Sequence, residues 1–463
     1  MLRQDKHLWL AGFSFIVLLI LSIVFFKERI IFIDAAYQAF FLIQEEGFNI
    51  QNNRFAEAIP QILPLVAIKF GCPLKCILIL FSMSYVLWHF LFFLLSAYVL
   101  KDKQMAIGGS LFSVLMVSQT FYWVPSELPM GISFSFFAWA MIRSDQNSEG
   151  RRWRYLGYTL LAFSLVFFHP TLLFVVFFSV IFFVLDKKTD AKKWESILLL
   201  FIIILILKMV LFEASDYDKN AMGKLNNLKT LFPHYFNIVS NKGFLKNCLT
   251  DYYWLIAFLI GIMLFYSKSK EFKKMAFVLC SFIGYLFLIN VSYYEGADKF
   301  YLENLYLPLS VFLILPFVID IMPKLSLKKS TIILALIFVS SWVRISLAHQ
   351  PFTKRLCFEQ NILEKTATAQ HKKIIFHEAA FQNHPLIMSW GTSFEFLFLS
   401  SLNSPEEARY MAIDDRPENY QWAIDENQYW ISKWNMVKNT EMNRRYFDNK
   451  DESKYVILNT FGY

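Results

Sequence analysis

For most of its length the chain alternates long apolar runs with short polar ones, and then it changes character. Apolar stretches fall at residues 8–26, 76–100, 105–121, 130–142, 155–168, 171–185, 196–212, 252–266, 275–291, 305–322 and 331–348. A bilayer crossing needs about 20 predominantly apolar residues, so the pattern predicts a polytopic all-α membrane domain over residues 1–348 with about 11 transmembrane helices. One further run, 59–70, is broken by Pro60 and Pro64 and is too short to cross; a surface or re-entrant helix is expected there. Just before it, within residues 28–61, Ile30, Ile33, Tyr37, Phe40 and Phe41 recur at helical intervals with Asp34, Gln38 and Glu45 between them. That spacing predicts a helix lying along the bilayer surface with Asp34 near its start, so surface helices are expected at about 30–70. Residues 349–463 are more polar. KKIIFHEAA, HPLIMSW, RYMAID and KYVILNT read as short strands and GTSFEFLFLSSLNSPEEA as a helix, which predicts a small separate α/β domain.

Composition agrees with the pattern. Hydrophobic residues make up 56% of the 463, with 51 phenylalanines, above the roughly 45–50% of a soluble domain. The net charge of +8 does not imply a nucleic-acid partner, because the basic residues cluster where topology wants them. They gather at Arg3/Lys6, Lys101/Lys103, Arg143 with Arg151/Arg152/Arg154, Lys187/Lys188/Lys192/Lys193, Lys268/Lys270/Lys273/Lys274 and Lys324/Lys328/Lys329. With 11 crossings, and with 59–70 not crossing, every cluster falls on one side. The amino terminus is then expected in the cytoplasm and the carboxyl-terminal domain outside. Lys-Glu-Arg follows the first span without a small-residue cleavage site, so that span reads as retained. The five cysteines form no metal-binding spacing. Cys72 and Cys76 read as packing residues, and a disulfide between Cys248 and Cys357 is left open.

The opposite, outer side collects the membrane-proximal acids and aromatics. It carries Asp34, Glu127 in YWVPSELPMG, His169 in FFHPTLL, the loop 213–251, and Glu295, Asp298, Lys299 and Glu303 in SYYEGADKFYLEN. A carboxylate at an interface can deprotonate a hydroxyl or help hold a divalent cation such as Mg or Mn, with Asp34 the candidate ligand. Lys299, His169 and Arg54 are the candidates for stabilising a leaving phosphate. Tyr37, Trp123, Tyr293, Tyr294 and Tyr301 suit sugar rings and equally suit an interfacial aromatic belt. Plainer roles stand beside these: Asp34 as a solvated acid next to Lys27 and Arg29, His169 as a helix-end cap, and Glu295 with Lys299 as an i,i+4 pair.

This layout resembles the GT-C superfamily of integral-membrane glycosyltransferases, which use polyprenyl-phosphate-linked sugars. Those enzymes share a first helix running outward, a large first outer loop with surface helices and an early catalytic acid, and many further spans. The acid here is Asp34 in FIDAAYQ, and SYYEGADKFYLENLYLPLSVFLILP is similar to the family's charged outer loop leading into a late Leu/Pro-rich helix. The resemblance covers residues 1–348. It implies an inverting transfer with Asp34 as base or metal ligand, Lys299 at the donor phosphate, and Glu127, Glu295, His169, Arg54 and Tyr37 about the substrates. It implies a lipid-linked sugar donor and a glycan, lipid or protein acceptor on the outer face of a multi-pass protein of the bacterial inner (plasma) membrane. Two departures stand out: Ala35 and Ala36 follow Asp34 where many members carry a second acid, and the family's phosphate-contacting Arg is not evident in the late loop. The competing classes are a transporter or flippase, which predicts ionisable residues deep in the spans, and a non-enzymatic membrane scaffold, which predicts tolerance of substitution at Asp34.

Overall fold

The computed structural model describes residues 2–460 apart from 53, 125–126, 145–150, 188, 214–215, 368–370, 382–384 and 386–387; side chains 2–5, 151–154, 217–218 and 222 are also outside the description. Arg3, Arg151, Arg152, Arg154 and Lys188 of the basic clusters, and parts of HPLIMSW and YWVPSELPMG, therefore lie outside the described residues.

The chain is mainly helical, with a small sheet near its carboxyl end. The predicted apolar runs fall on α1 (Leu2–Val24), α5 (Leu74–Leu94), α6 (Lys103–Leu115), α7 (Glu127–Ser144), α8 (Arg151–Val166), α9 (Leu172–Leu185), α10 (Ala191–Leu211), α14 (Tyr253–Ser269), α15 (Phe272–Ser292), α16 (Lys299–Pro316) and α17 (Leu327–Leu347). Helices are the expected outcome, because in hydrocarbon only a helix or a closed barrel satisfies its own peptide groups. Between them lie α2 (Phe26–Ile30), α3 (Ile33–Gln44), α4 (Ala58–Lys69), α11 (Asp216–Gly223), α12 (Asn227–Thr230) and α13 (Val239–Thr250). Among the described residues six helices are long and apolar enough to cross a membrane, and α13 with α14, bent by 89°, would make a seventh. This is a multi-pass architecture with fewer such helices than the hydropathy pattern predicts. The others are short or mixed in composition. Among them α6 is buried along most of its length by its neighbours, so protein takes the place of lipid around it.

Hydrogen bonds and ion pairs tie the helix ends into two opposite layers. In one, His7 meets Thr331 at 3.1 Å, Arg143 meets Asp102 at 3.2 Å, and Lys274 bridges Asp186 and Asp320 at 3.2 and 2.8 Å. Lys274, expected as a loop charge, is instead buried in the first turn of α15. In the other layer, Glu303 on α16 accepts from the Ser118 and Thr120 amides at 2.6 and 2.9 Å and from the Tyr252 hydroxyl at 3.0 Å. There Arg344 caps the carbonyls that end α6, including Val114 and Val117. α16 is the axis of the bundle, buried almost throughout.

In the carboxyl-terminal part the predicted helix and three of the four predicted strands form, with further elements around them. It comprises α18 (Gln350–Lys365), β1 (Lys373–His377), α19 (Thr392–Ser401), β2 (Tyr410–Asp414), α20 (Gln421–Glu426), β3 (Tyr429–Trp430), β4 (Val437–Lys438) and β5 (Val456–Leu458). β2, β1 and β5 form a parallel sheet in that order, and β3 pairs antiparallel with β4. Ser389–Gly391 form a helical turn, so the strand read from HPLIMSW does not include Ser389 and Trp390; His384, Leu386 and Ile387 lie outside the described residues. The core of the carboxyl-terminal part is shared with the helical part. α3 is covered by protein: Ala35, Ala36, Ala39, Phe40, Leu42 and Ile43 are all buried, packed with Phe394, Leu397 and Trp430 in one core. Small alanines on one side and phenylalanine on the other let α3 be enclosed all round. All five cysteines are free, with Cys248 buried and Cys357 exposed, so the bridge left open between them is not formed.

Candidate functional site

The site begins where α1 gives way to α3. The turn between them closes on Ile33, whose φ of 37° is left-handed. For a β-branched residue that conformation costs about 1–3 kcal/mol and persists only where the surroundings impose it. The carboxyl-terminal domain imposes it. Glu395 Oε1 accepts the Ile33 amide at 2.6 Å, and Gly391 lies so close that a Cβ there would stand 2.7 Å from Ile33 Cα. Glu395 is fully buried and takes two contacts from the buried Arg355, at 2.8 and 3.1 Å.

The residue after this clamped turn is Asp34. Its half-buried carboxylate accepts from Trp123 Nε1 at 3.0 Å. Burial pushes its pKa up to about 6; the Trp123 bond opposes the rise, and the charges of Glu127 and Glu395 add to it. A carboxylate poised there exchanges a proton near neutral pH.

One helical turn on, Gln38 lines a small cavity with Glu57, Tyr85 and Glu127. Arg54 Nη1 meets Glu127 Oε2 at 3.0 Å, both largely buried. Glu57 takes the Gln51 amide at 2.8 Å, and burial together with its hydrogen bond to Glu127 pushes its pKa up to about 10. Glu57 is therefore the neutral acid beside Glu127. His169 Nδ1 accepts from the Thr171 amide at 3.2 Å, as the helix-end reading expects, and still lies close enough to act electrostatically on Glu127.

Tyr85 and Met130 also wall a second, apolar cavity of about 70 Å³, bounded by Phe15, Leu18, Val86 and Leu307 together with Arg29 and Trp123. Arg29 is fully buried. Nε donates to Ser82 Oγ at 2.8 Å, Nη2 to the Ser82 carbonyl at 3.1 Å and Nη1 to the Phe121 carbonyl, with the guanidinium 4.0 Å over the Phe121 ring. Among the described residues no carboxylate pairs with it. A buried cation with only neutral partners is costly.

Asp34, Glu127, Arg54 and His169 thus lie near one another. Lys299 does not join them. It pairs with Asp251 at 2.8 Å; burial pushes that carboxyl up, but Lys299, Thr250 and Ser118 together hold it below the usual range. Glu295 accepts from the neighbouring Tyr294 hydroxyl at the surface, and so pairs with neither Lys299 nor the site. Tyr37 turns to the carboxyl-terminal domain, where its hydroxyl accepts from Asn435 at 2.7 Å. Arg29, Glu57 and Glu395 escaped the sequence reading. Arg29 and Glu57 both lie beside or within the 28–61 stretch and were legible as buried-charge candidates, whereas nothing local marks Glu395 as a partner of Ile33. Among the described residues no three His, Cys, Asp or Glu side chains converge as they would around a metal ion. No protein family, curated protein or solved structure matches the chain.

Proposed function

We propose that this protein is a membrane glycosyltransferase that uses a polyprenyl-phosphate-linked sugar. The observation that carries the proposal is Asp34: an acid poised to titrate near neutral pH, next to a strained turn held by the carboxyl-terminal domain.

In the proposed reaction an acceptor hydroxyl gives its proton to Asp34 while its oxygen bonds to the anomeric carbon of the sugar. The bond from that carbon to the phosphate oxygen breaks, and its electron pair leaves with the polyprenyl phosphate. Arg29 and Arg54 are the cations to which the leaving phosphate is assigned, in place of Lys299. The apolar cavity beside Arg29 takes the first part of the lipid.

The same proposal takes each of the eleven apolar helices as one crossing. The layer of Lys274, Arg143 and His7 then faces the cytoplasm, and that of Asp34 and Glu303 faces outside, in keeping with the basic clusters.

The test compares cells carrying wild type, Asp34→Asn or no copy at matched membrane expression. Surface glycans and the pool of polyprenyl-linked sugars are assayed together. Loss of a glycan with accumulation of donor in both Asp34→Asn and the deletion supports the proposal. A glycan lost only in the deletion refutes it in favour of a transporter or scaffold.

A further inference from the structure

The carboxyl-terminal domain carries a second cleft, of about 330 Å³, that the chemistry at Asp34 does not use. It opens at Asp414, the last residue of β2, whose register partner on β1 is His377, also the last of its strand. In α/β layers, ligands bind outside the carboxyl ends of parallel strands. Asp414 is nearly fully buried and fixed by its neighbours: the Tyr420 hydroxyl donates to it at 2.9 Å and the Arg416 amide at 2.8 Å. Asp415, Asn419, Lys433 and Trp434 complete the walls, with Lys433 reaching Asp415 at 3.3 Å and Asp414 at 3.8 Å.

We infer that this cleft binds a neutral carbohydrate, and that it holds the acceptor. The binding claim stands on the cleft alone; the acceptor role rests on the glycosyltransferase reading. Two carboxylates face two cations, so the charges balance and the field favours a neutral ligand over a phosphate or a polyanion. Carboxylates, Arg, Lys and Asn together give donors and acceptors for vicinal hydroxyls. Trp434 is 63% exposed on the cleft wall and offers a flat apolar face for a pyranose. The cleft also leads to Asp34: Trp434 meets Trp390 edge-on at 6.3 Å, Trp390 meets Tyr37 at 6.3 Å, and Tyr37 stands on α3 one turn after Asp34.

Saturation-transfer NMR on the full chain in nanodiscs, with maltotriose, cellotriose and N,N′-diacetylchitobiose as probes and inorganic phosphate as competitor, tests this. The expected result is transfer to the ring protons of at least one sugar that phosphate does not displace. Binding should weaken about tenfold or more in Trp434→Ala and be unchanged in Trp422→Ala, an exposed indole outside the cleft. Melting of the variants near the wild-type temperature shows that they are folded. Binding that is absent for all three sugars, displaced by phosphate, or undiminished in Trp434→Ala overturns the inference. Asp34→Asn keeps sugar binding, so an inactive Asp34→Asn with no sugar bound to wild type removes only the cleft. Sugar bound with transfer intact in Asp34→Asn removes only the chemistry assigned to Asp34.

Discussion

Replacing Arg355 with Met tests whether the carboxyl-terminal domain positions Asp34. Arg355 faces two fully buried carboxylates, Glu395 at 2.8 Å and Glu359 at 3.3 Å. Removing the guanidinium leaves buried negative charge without its partner, which costs about 3–5 kcal/mol, a large part of the roughly 5–15 kcal/mol that stabilises a folded protein. Glu395→Gln is milder. Its amide oxygen still accepts from Ile33, and Arg355 keeps Glu359, so the loss is that of a charged hydrogen bond, about 1.5–3 kcal/mol. In Arg355→Met Glu395 loses the guanidinium that fixes its position, its hold on the Ile33 amide slackens, the strain of about 1–3 kcal/mol relaxes, and Asp34 moves away from Trp123. The assay pairs thermal melting in nanodiscs, followed by tryptophan fluorescence, with the rate of sugar transfer by the fraction still folded. Arg355→Met should melt below Glu395→Gln and lose kcat by about a hundredfold in its folded fraction, since a displacement of about 1 Å at a reacting group has that effect. A folded Arg355→Met protein with wild-type kcat would refute the positioning role.

Gly391→Ala changes no charge yet sets a methyl 2.7 Å from Ile33 Cα, so it should depress transfer about as strongly as Arg355→Met while sugar binding at the cleft survives in the same NMR experiment. In the Arg54 group, Glu57 is neutral at pH 7, so Glu57→Gln should cost under about 1 kcal/mol, while Glu127→Gln, which takes the carboxylate from the buried Arg54, should cost about 1.5–3 kcal/mol in chemical denaturation. Asp34 itself should be destabilising. Its pKa rises from 3.8 unfolded to about 6 folded, so its ionisation opposes folding as pH climbs through that window, by up to about 3 kcal/mol at pH 7. Asp34→Asn should therefore melt higher than wild type at neutral pH and lose that advantage below about pH 4.

What the sequence revealed divides along physical lines. Hydropathy is a local property, so the apolar helices and the failure of residues 59–70 to make a full span could be read from composition alone. So could α3, because Ile33, Tyr37 and Phe40 repeat at the helical period. The environment of α3 could not. An amphipathic stripe beside a membrane is the same pattern whether lipid or protein covers it, and here Phe394 and Trp430 cover it. Lys274 reads as a loop lysine until Asp186 and Asp320 close on it. The acids were found by their position at span ends, but which of them meet is a matter of long-range packing. Arg54 reaches Glu127 and Lys299 reaches Asp251, and neither pairing has a local signal. Glu395, which holds the backbone next to Asp34, lies in a domain that its polarity made look independent.

The central claim is that Asp34 takes the proton from the acceptor. The most direct measurement is the initial rate of transfer from a polyprenyl-phosphate sugar by the purified protein in nanodiscs, from about pH 5 to pH 8, for wild type and Asp34→Asn. The base works only when ionised, so the wild-type rate should fall on the acid side with a midpoint near the pKa of about 6, and Asp34→Asn should be slower by at least about a hundredfold at every pH. A wild-type profile flat across that range, or an Asp34→Asn rate within a few-fold of wild type, would contradict it.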